Sequence, residues 1–542
     1  MGIGFTTGAE AFARVVARVI GVGAALLGTT LTGAATLPQV GPVDADFAPV
    51  DQVAQDYLAQ YNMPGVTVVV AYGERIIHAQ GYGYADRASA TPTSPWLEYR
   101  LASVSKALTA TAVMKLYEQG KLQLDAPAWG YVSTFLGGEP KDARLKQVTV
   151  RQLLTHTWGL NRAVSSDPMG AWLTDAAGKV LTTCPDVLRQ RLLTMTLDFA
   201  PGSRYAYNNT GFCWLGLIAE TLDGRPLDKQ LSAMLGPEPL SAGRVRIGET
   251  TPAAITGAEP TYHDWVGAPQ VAPVPGVYPA PAPSLVPRPY GYFTPRGYGG
   301  SGGLVASAFT LTRWIQRLAG VREPALLSAA TRATMFTEQT IPDGTRYEGL
   351  GITVQRYSAP YLSTDYSIGA TGSIVGTRTA WIATPRRPGG PMLTVVALLN
   401  GSRTGSGIGT EDDVSAELLT PLVFAVDKVR GYTTKAEIAG DRLIAPGSPA
   451  DVYYTDVLFD WGQRLYPGLF PTPQTTGVLL GYRYRYYPET NTYLGTKDGR
   501  IWLYQPSVSG AINDIASMVD YLPLALRDTD ALKASAPRPP RR

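Results

Sequence analysis

Histidine and cysteine are scarce, three and two residues in a chain of 542. No C-x-x-C pair, no H-E-x-x-H helix and no clustered Asp/His run occurs, so the sequence offers no metal centre. No glycine-rich loop ends in Lys-Ser or Lys-Thr, which excludes a P-loop nucleotide site. The formal charge is only +3, with 17% of residues charged. That balance leaves no electrostatic footprint for nucleic acid. Beyond residue 31 no apolar run is long enough to span a bilayer. None of these patterns implies a cofactor. What remains is chemistry done by ordinary side chains.

A hydrophobic content of 45% describes a globular protein with a large core, and the length exceeds one ordinary domain. Gly and Pro number 58 and 43, which predicts many turns and long loops. Residues 1–35 read as an export signal. Arg14 and Arg18 precede an uncharged apolar run from Val19 to Leu31, and small residues follow at Gly33, Ala34 and Ala35. An uncleaved membrane anchor is the rival reading; the run is short and rich in Gly and Thr, which favours cleavage, a periplasmic or extracellular product and no membrane span afterwards. In an exported chain the pair Cys184 and Cys213 suggests a disulfide, worth on the order of 3 kcal/mol for a loop of this length. Two separate buried thiols are the alternative.

Periodicity gives a coarse map. A helix is expected over Val50 to Tyr61, then a hairpin of Gly65 to Ala71 and Arg75 to Tyr82 about Tyr72-Gly73-Glu74. A central buried helix begins at Ser103 and stops near Gly120, and another opens at Val148. Residues 236–300 are too rich in proline for regular structure and read as a surface loop or lid, with His263 on a mobile part of it. Ser307 to Ala319 is helical. Leu350 to Gln355, Ile374 to Thr384 and Leu393 to Asn400 are strands of an antiparallel sheet, and Val414 to Val429 is an amphipathic helix that would pack across it. Residues 431–449 read as a linker. Residues 450–525 read as a small β-meander domain, with strands at 482–487, 492–496 and 501–504, and 526–542 as a disordered tail. The alternation Tyr482-Arg483-Tyr484-Arg485-Tyr486 either covers a small β core or offers aromatic platforms to a polymer or cell surface. The segment from Asp460-Trp461 to Gly499 resembles a small module appended to exported proteins of certain proteobacteria, and that resemblance carries no activity.

The chemistry is concentrated at Ser103-Val104-Ser105-Lys106. A serine hydroxyl is a poor nucleophile until a base takes its proton. A lysine three residues on lies one helical turn away on the same face. Desolvation lowers an ammonium's hold on its proton, so a buried lysine can be that base. S-x-x-K alone is a weak pattern, and an N-cap serine with a surface lysine is its bland counterpart. Two further features strengthen it: the triplet Tyr207-Asn208-Asn209, and a glycine-rich strand edge at Gly369-Ala370-Thr371-Gly372-Ser373. Read alone, Tyr207 and Asn209 could equally be turn residues after Pro201-Gly202.

L-A-S-V-S-K-A-L-T-A, L-L-T-H-T-W-G-L, Y-A-Y-N-N-T-G-F-C-W-L-G, G-G-L-V-A-S-A and the strand ending A-L-L-N-G-S occur in that order. In this the chain resembles the serine β-lactamase-related hydrolases: class C β-lactamases, D,D-peptidases and the esterases of the same fold. The resemblance covers residues 45–430. It implies an α+β fold, an antiparallel sheet flanked by helices plus a helical subdomain, to which the small C-terminal all-β domain is added. It implies that Ser103 is acylated, that Lys106 is its base, and that Tyr207 carries the proton to the leaving group. Asn209 would bond Lys106 or the substrate. Gly372 and Ser373 would lie at the substrate, with the Ser103 and Ser373 N–H groups as the oxyanion hole.

One position departs from the family pattern. The third motif usually opens with a cation or histidine, which helps to bind a substrate carboxylate; here that position is Ala370. Arg378 on the following strand is an alternative source of charge. The expectation is therefore an exported esterase or amidase acting on small uncharged acyl substrates. A D,D-carboxypeptidase or β-lactamase is the second reading, and a non-catalytic binding protein of the same fold the third. His156 suits a helix end and His78 a strand, and neither is needed by a lysine mechanism. Gly299-Gly300-Ser301-Gly302-Gly303 matches a G-x-S-x-G nucleophile elbow, but lacks the preceding strand that an elbow requires.

Overall fold

A computed structural model describes residues 37–438, except 168, 171–172, 237–243, 256–257, 340–348, 357–364 and 404–413. Beyond them it describes chiefly 475–479, 482–497, 500–504 and 512–517, with a few residues between 455 and 470. The expected export signal (1–35), the tail (526–542) and linker residues 439–449 lie outside the described residues.

The body is built on one antiparallel sheet. Its elements include, in chain order, α1 (Ala48–Tyr61), β1 (Gly65–Tyr72), β2 (Arg75–Asp86), α2 (Ser105–Glu118), α3 (Cys184–Thr194), α4 (Thr210–Asp223), β3 (Leu304–Ser307), α5 (Ala308–Ala319), β4 (Thr353–Arg356), β5 (Tyr366–Ile374), β6 (Thr377–Pro385), β7 (Met392–Leu399) and α6 (Thr420–Asp427), with shorter helices such as Trp129–Leu136 and Leu227–Leu235 between them. The main strands run in the order β2-β1-β7-β6-β5-β4, and short strands at Gln39–Val40 and Thr91–Pro92 flank β2. Short strand β3 lies off this sheet, paired with Glu98–Arg100.

β1 is apolar on both faces because both are covered. Val66, Val68 and Val70 point into a cluster with Leu58 of α1 and Leu422 and Val426 of α6. Val69 and Ala71 join the larger cluster on the other face, with Val113 of α2, Trp314 of α5 and Trp381 of β6. Period-two alternation divides one strand between two cores, and each buried valine contributes about 1.5–3 kcal/mol.

α2 is buried on nearly every side. Its polar residues therefore find partners both in the helix and beyond it: the Thr111 hydroxyl donates to the Ala107 carbonyl at 2.8 Å and the Thr109 hydroxyl to the Gly300 carbonyl at 2.7 Å. α2 packs against α4, and Trp129, Trp158 and Trp214 meet edge to face behind them. Cys184 at the start of α3 and Cys213 in α4 form a disulfide.

Several expectations are corrected. The α-helix starts at Ser105, and Ser103 sits in a 3-10 turn over Ala102–Val104. The expected strand Ile374 to Thr384 is two strands, because a turn about Gly376, at φ +80°, separates β5 from β6. The expected helix Val414 to Val429 opens as a π-turn over Ser415–Leu419. Within 236–300, His263 is not on a mobile loop. Its N–H donates to the Asn400 carbonyl at 2.9 Å and its carbonyl accepts from Ser402 at 3.0 Å. The excursion is also tied to buried Arg100, which donates to the Pro289 and Glu249 carbonyls at 2.8 Å each and lies over the Tyr262 ring. Residues 431–438, read as the start of a linker, are bonded to the body through Lys435 to Asp44 and Asp46, and Ile438 N–H to the Ile76 carbonyl.

The C-terminal part is a five-stranded antiparallel meander: β8 (Thr475–Leu479), β9 (Tyr482–Tyr487), β10 (Thr492–Lys497), β11 (Arg500–Tyr504) and β12 (Ile512–Ser517). The sequence showed only its three middle strands. Tyr487 and Leu494 cover a small core with Phe459 and Phe470. Tyr484, Tyr486, Tyr493 and Tyr504 line the other face as a half-exposed ladder, in which Tyr486 and Tyr493 stack at 4.4 Å.

Candidate active site

Ser103 lies in the turn that feeds α2, one residue after Ala102, whose φ is +48°. A side-chain-bearing residue in that region costs about 1–2 kcal/mol, and such strain concentrates at functional positions. The surroundings hold it there. Thr379 Oγ1 donates to the Leu101 carbonyl at 2.8 Å, and Leu101 N–H donates to the Leu304 carbonyl at 2.8 Å.

β5 then passes against this turn at Gly372. A Cβ at that position would lie 2.5 Å from the Leu101 carbonyl oxygen and 2.9 Å from the Ser103 nitrogen. Only glycine allows the strand so close. Ser373 follows it, half-buried, and Ala370 precedes it, half-buried against the core.

Two side chains converge on Ser103. Its Oγ is 2.7 Å from the Tyr207 hydroxyl and 3.3 Å from Lys106 Nζ. Lys106 is buried, with 5% of its surface exposed, whereas Ser103 and Tyr207 stay partly open to solvent. Lys106 Nζ also donates to Asn209 Oδ1 at 2.7 Å and to the Ser301 carbonyl at 2.6 Å. Those two oxygens can only accept, so they fix two of the nitrogen's hydrogens. A further direction of the nitrogen faces Ser103 Oγ. When the amine is charged an N–H points along it; when it is neutral the lone pair does.

Tyr207 is placed by the residues behind it. The His156 ring lies 4.6 Å from the Tyr207 ring, and His156 Nδ1 accepts from the Asn208 N–H at 3.4 Å. Burial, with the Lys106 and Arg162 charges added, holds the His156 imidazole well below its usual value. It is therefore a neutral acceptor near neutral pH. Asn208 is buried and accepts from Trp158 Nε1 at 2.9 Å. Lys106 Nζ and the Arg162 guanidinium lie 4.8 and 5.1 Å from the Tyr207 ring centre.

Ser103, Lys106, Tyr207 and Asn209 thus meet at one point, with Gly372 and Ser373 alongside. The disulfide lies behind, within α3 and α4. His78 is buried elsewhere, hydrogen-bonded to Tyr82 at 3.0 Å. Arg378 is buried and donates to the Ile374 and Thr377 carbonyls at 2.9 Å each, so it is engaged by the β5–β6 turn. Ser301 follows a short helix and precedes β3, the reverse of an elbow, and its hydroxyl donates to the Tyr298 carbonyl at 2.6 Å. Sequence reasoning missed its backbone role as an acceptor for Lys106. The run of glycines was the available signal: at Gly299, φ is +50° and a Cβ would lie 2.9 Å from Cys184 Sγ, while at Gly300 it would lie 2.9 Å from Thr109 Oγ1. Among the described residues no group of three metal-ligating side chains occurs, and no helix is long and apolar enough to cross a membrane.

Known proteins share this arrangement of chain. Esterase EstB of Burkholderia gladioli is 31% identical over 224 residues, 38% of this chain and 53% of that protein. Protein flp of Staphylococcus aureus (strain N315) is 26% identical over 183 residues, 34% of this chain and 35% of that one. The chain therefore spans about half the length of the first relative and a third of the second. EstCE1, a hydrolase with promiscuous acyltransferase activity, superimposes with a TM-score of 0.50 at 22% identity, over 70% of this chain and 98% of its own. D-amino acid amidase from Ochrobactrum anthropi SV3 does so with a TM-score of 0.50 at 21% identity, over 71% and 100%. These two likenesses are of fold. The profile of the Beta-lactamase family matches residues 50–418, more than half of the sequence. With the antiparallel sheet, the S-x-x-K turn at the head of buried α2 and the Tyr-x-Asn triplet in place, the chain belongs to the Beta-lactamase family.

Proposed function

We propose that this protein is a serine hydrolase that works through an acyl-enzyme on Ser103. The observation that carries the reading is the Ser103 hydroxyl held between the Tyr207 hydroxyl and Lys106 Nζ, at 2.7 and 3.3 Å. As Ser103 Oγ bonds to a substrate carbonyl carbon, its proton passes into the Lys106–Tyr207 pair. The carbonyl oxygen takes up negative charge and is met by the Ser103 and Ser373 N–H groups. Tyr207 returns the proton to the leaving group as the carbon–leaving-group bond breaks. Water then attacks the ester on Ser103, giving up a proton to the same pair, which returns it to Ser103 Oγ as the acyl–oxygen bond breaks and the acid departs.

The substrate class is a small uncharged ester or amide. Ala370 supports this: it places no charge where a substrate carboxylate would need one, and Arg378 is spent on backbone carbonyls. The name of EstB agrees with ester chemistry. We read residues 45–430 as the catalytic unit and 450–525 as a separate β domain, whose tyrosine ladder would meet a polymer or the cell surface. Export to the periplasm or beyond fits the disulfide between Cys184 and Cys213.

Burst kinetics with p-nitrophenyl acetate and with nitrocefin test the reading. Turnover of the ester with a burst, and little of nitrocefin, is expected. Preferred nitrocefin hydrolysis would assign the site to carboxylate-bearing lactams, and silence with both would leave a binding protein.

A further inference from the structure

The first turn of α4 poses a capping problem. Asn209 is its N-cap residue, and an asparagine there ordinarily turns its side-chain oxygen back onto the helix's exposed N–H groups. Asn209 does not: its backbone is already helical (φ −89°, ψ −29°), it makes no side-chain cap bond, and its Oδ1 accepts from Lys106 Nζ at 2.7 Å. The amides are satisfied from elsewhere. Asp167, some forty positions earlier in the chain, accepts from the Asn209 N–H at 2.5 Å and from the Thr210 N–H at 3.0 Å, and from the Thr210 hydroxyl at 2.7 Å. The Gly211 N–H is taken by Asn208 Oδ1 at 3.0 Å.

We infer that Asp167 is a positioning residue for the Ser103 reaction: by accepting from the Asn209 and Thr210 N–H groups, it fixes the backbone from which the Asn209 carboxamide reaches Lys106. A carboxylate suits this end of the helix, where the dipole favours negative charge. Without it, the Asn209 and Thr210 N–H groups lose their acceptor and the first turn of α4 is free to shift. A shift of Asn209 loosens one of the two acceptors that hold Nζ toward Ser103. The chain runs from Asp167 through Asn209 to Lys106, and Asp167 touches none of the reacting atoms. This rests on the reading of Ser103 as the nucleophile.

A mutant cycle tests it. The rate of fluorophosphonate labelling of Ser103 and the urea midpoint are measured for the wild type, Asp167→Ala, Asn209→Ala and the double variant. Asp167→Ala is expected to slow labelling at least tenfold, and Asn209→Ala likewise. The double variant is expected to label no more slowly than Asn209→Ala. The urea midpoint should still fall on adding Asp167→Ala to Asn209→Ala, because the cap is lost in both backgrounds. Asp167→Asn keeps one acceptor oxygen and should retain an intermediate rate; it serves if the alanine variant does not fold. Wild-type labelling in Asp167→Ala, or losses that multiply in the double variant, overturns the inference. Labelling that persists in Ser103→Ala overturns the reading beneath it instead, a distinct result.

Discussion

The carbonyl oxygen of Ser301 accepts a hydrogen bond from Lys106 Nζ at 2.6 Å. Nearly two hundred residues separate the pair in sequence, and the glycines around Ser301 bring them together. The serine hydroxyl takes no part, being bonded to the Tyr298 carbonyl. Ser301→Ala should therefore cost about 0.5–1.5 kcal/mol of stability for one lost hydrogen bond and leave most Ser103 labelling. Gly299→Ala should lose far more of both, since that position has φ +50° and its Cβ would meet Cys184 Sγ at 2.9 Å. Urea titration and labelling rates of the two variants check this. Equal losses would deny the backbone carbonyl its role.

Gly372→Ala should separate β5 from the Ser103 turn. The added methyl would lie 2.5 Å from the Leu101 carbonyl oxygen and 2.9 Å from the Ser103 nitrogen, and both are backbone atoms. The expected result is a loss of at least a hundredfold in kcat/KM with p-nitrophenyl acetate, about 2.7 kcal/mol of transition-state stabilisation. Near-normal kcat would place the oxyanion elsewhere.

Much of this site was legible in the sequence, because S-x-x-K and Tyr-x-Asn are local patterns with fixed chemistry. The hairpin of β1 and β2 and the helix α1 were legible for the same reason: their periodicity spans only a few residues. What escaped depends on distance along the chain. Nothing local marks Asp167 as the partner of a helix that starts at Thr210, and the glycines about Ser301 signal close packing without pointing to Lys106. β5 was half seen, because its glycines suppress the strand pattern at the point where close approach requires them. The 3-10 turn holding Ser103 was hidden by the helical pattern that follows it.

Ala370→Lys should shift preference toward acyl donors that carry a carboxylate. Ala370 is half-buried on β5, two residues before Gly372. A lysine there would restore the charge that the family pattern places at this position. Kinetics should show at least a tenfold rise in the nitrocefin-to-acetate ratio of kcat/KM. No change in that ratio would mean that the side chain at 370 does not face the substrate.

Burial pushes the His78 imidazole down to about 3. The unfolded value is near 6.5, so between these limits the unfolded chain binds the extra proton. This histidine's contribution is full above about pH 6.5 and is lost as pH falls toward 3, by up to about 1.4 kcal/mol per unit. His78→Phe, which preserves the stack on Phe47 at 4.4 Å, has no such proton to bind. The difference in unfolding free energy between wild type and variant should therefore shift in the variant's favour by roughly 2 kcal/mol from pH 7 to pH 4.5. A difference that stays constant would show that His78 is not buried neutral.

The central claim is that a buried amine and a tyrosine prime one hydroxyl for bonding to an acyl carbon. Peptide mass mapping after fluorophosphonate treatment tests it most directly. The account predicts a single adduct on the peptide containing Ser103, absent in Ser103→Ala and strongly reduced in Lys106→Ala and Tyr207→Phe. An adduct on another residue, or one that survives in Ser103→Ala, would contradict it.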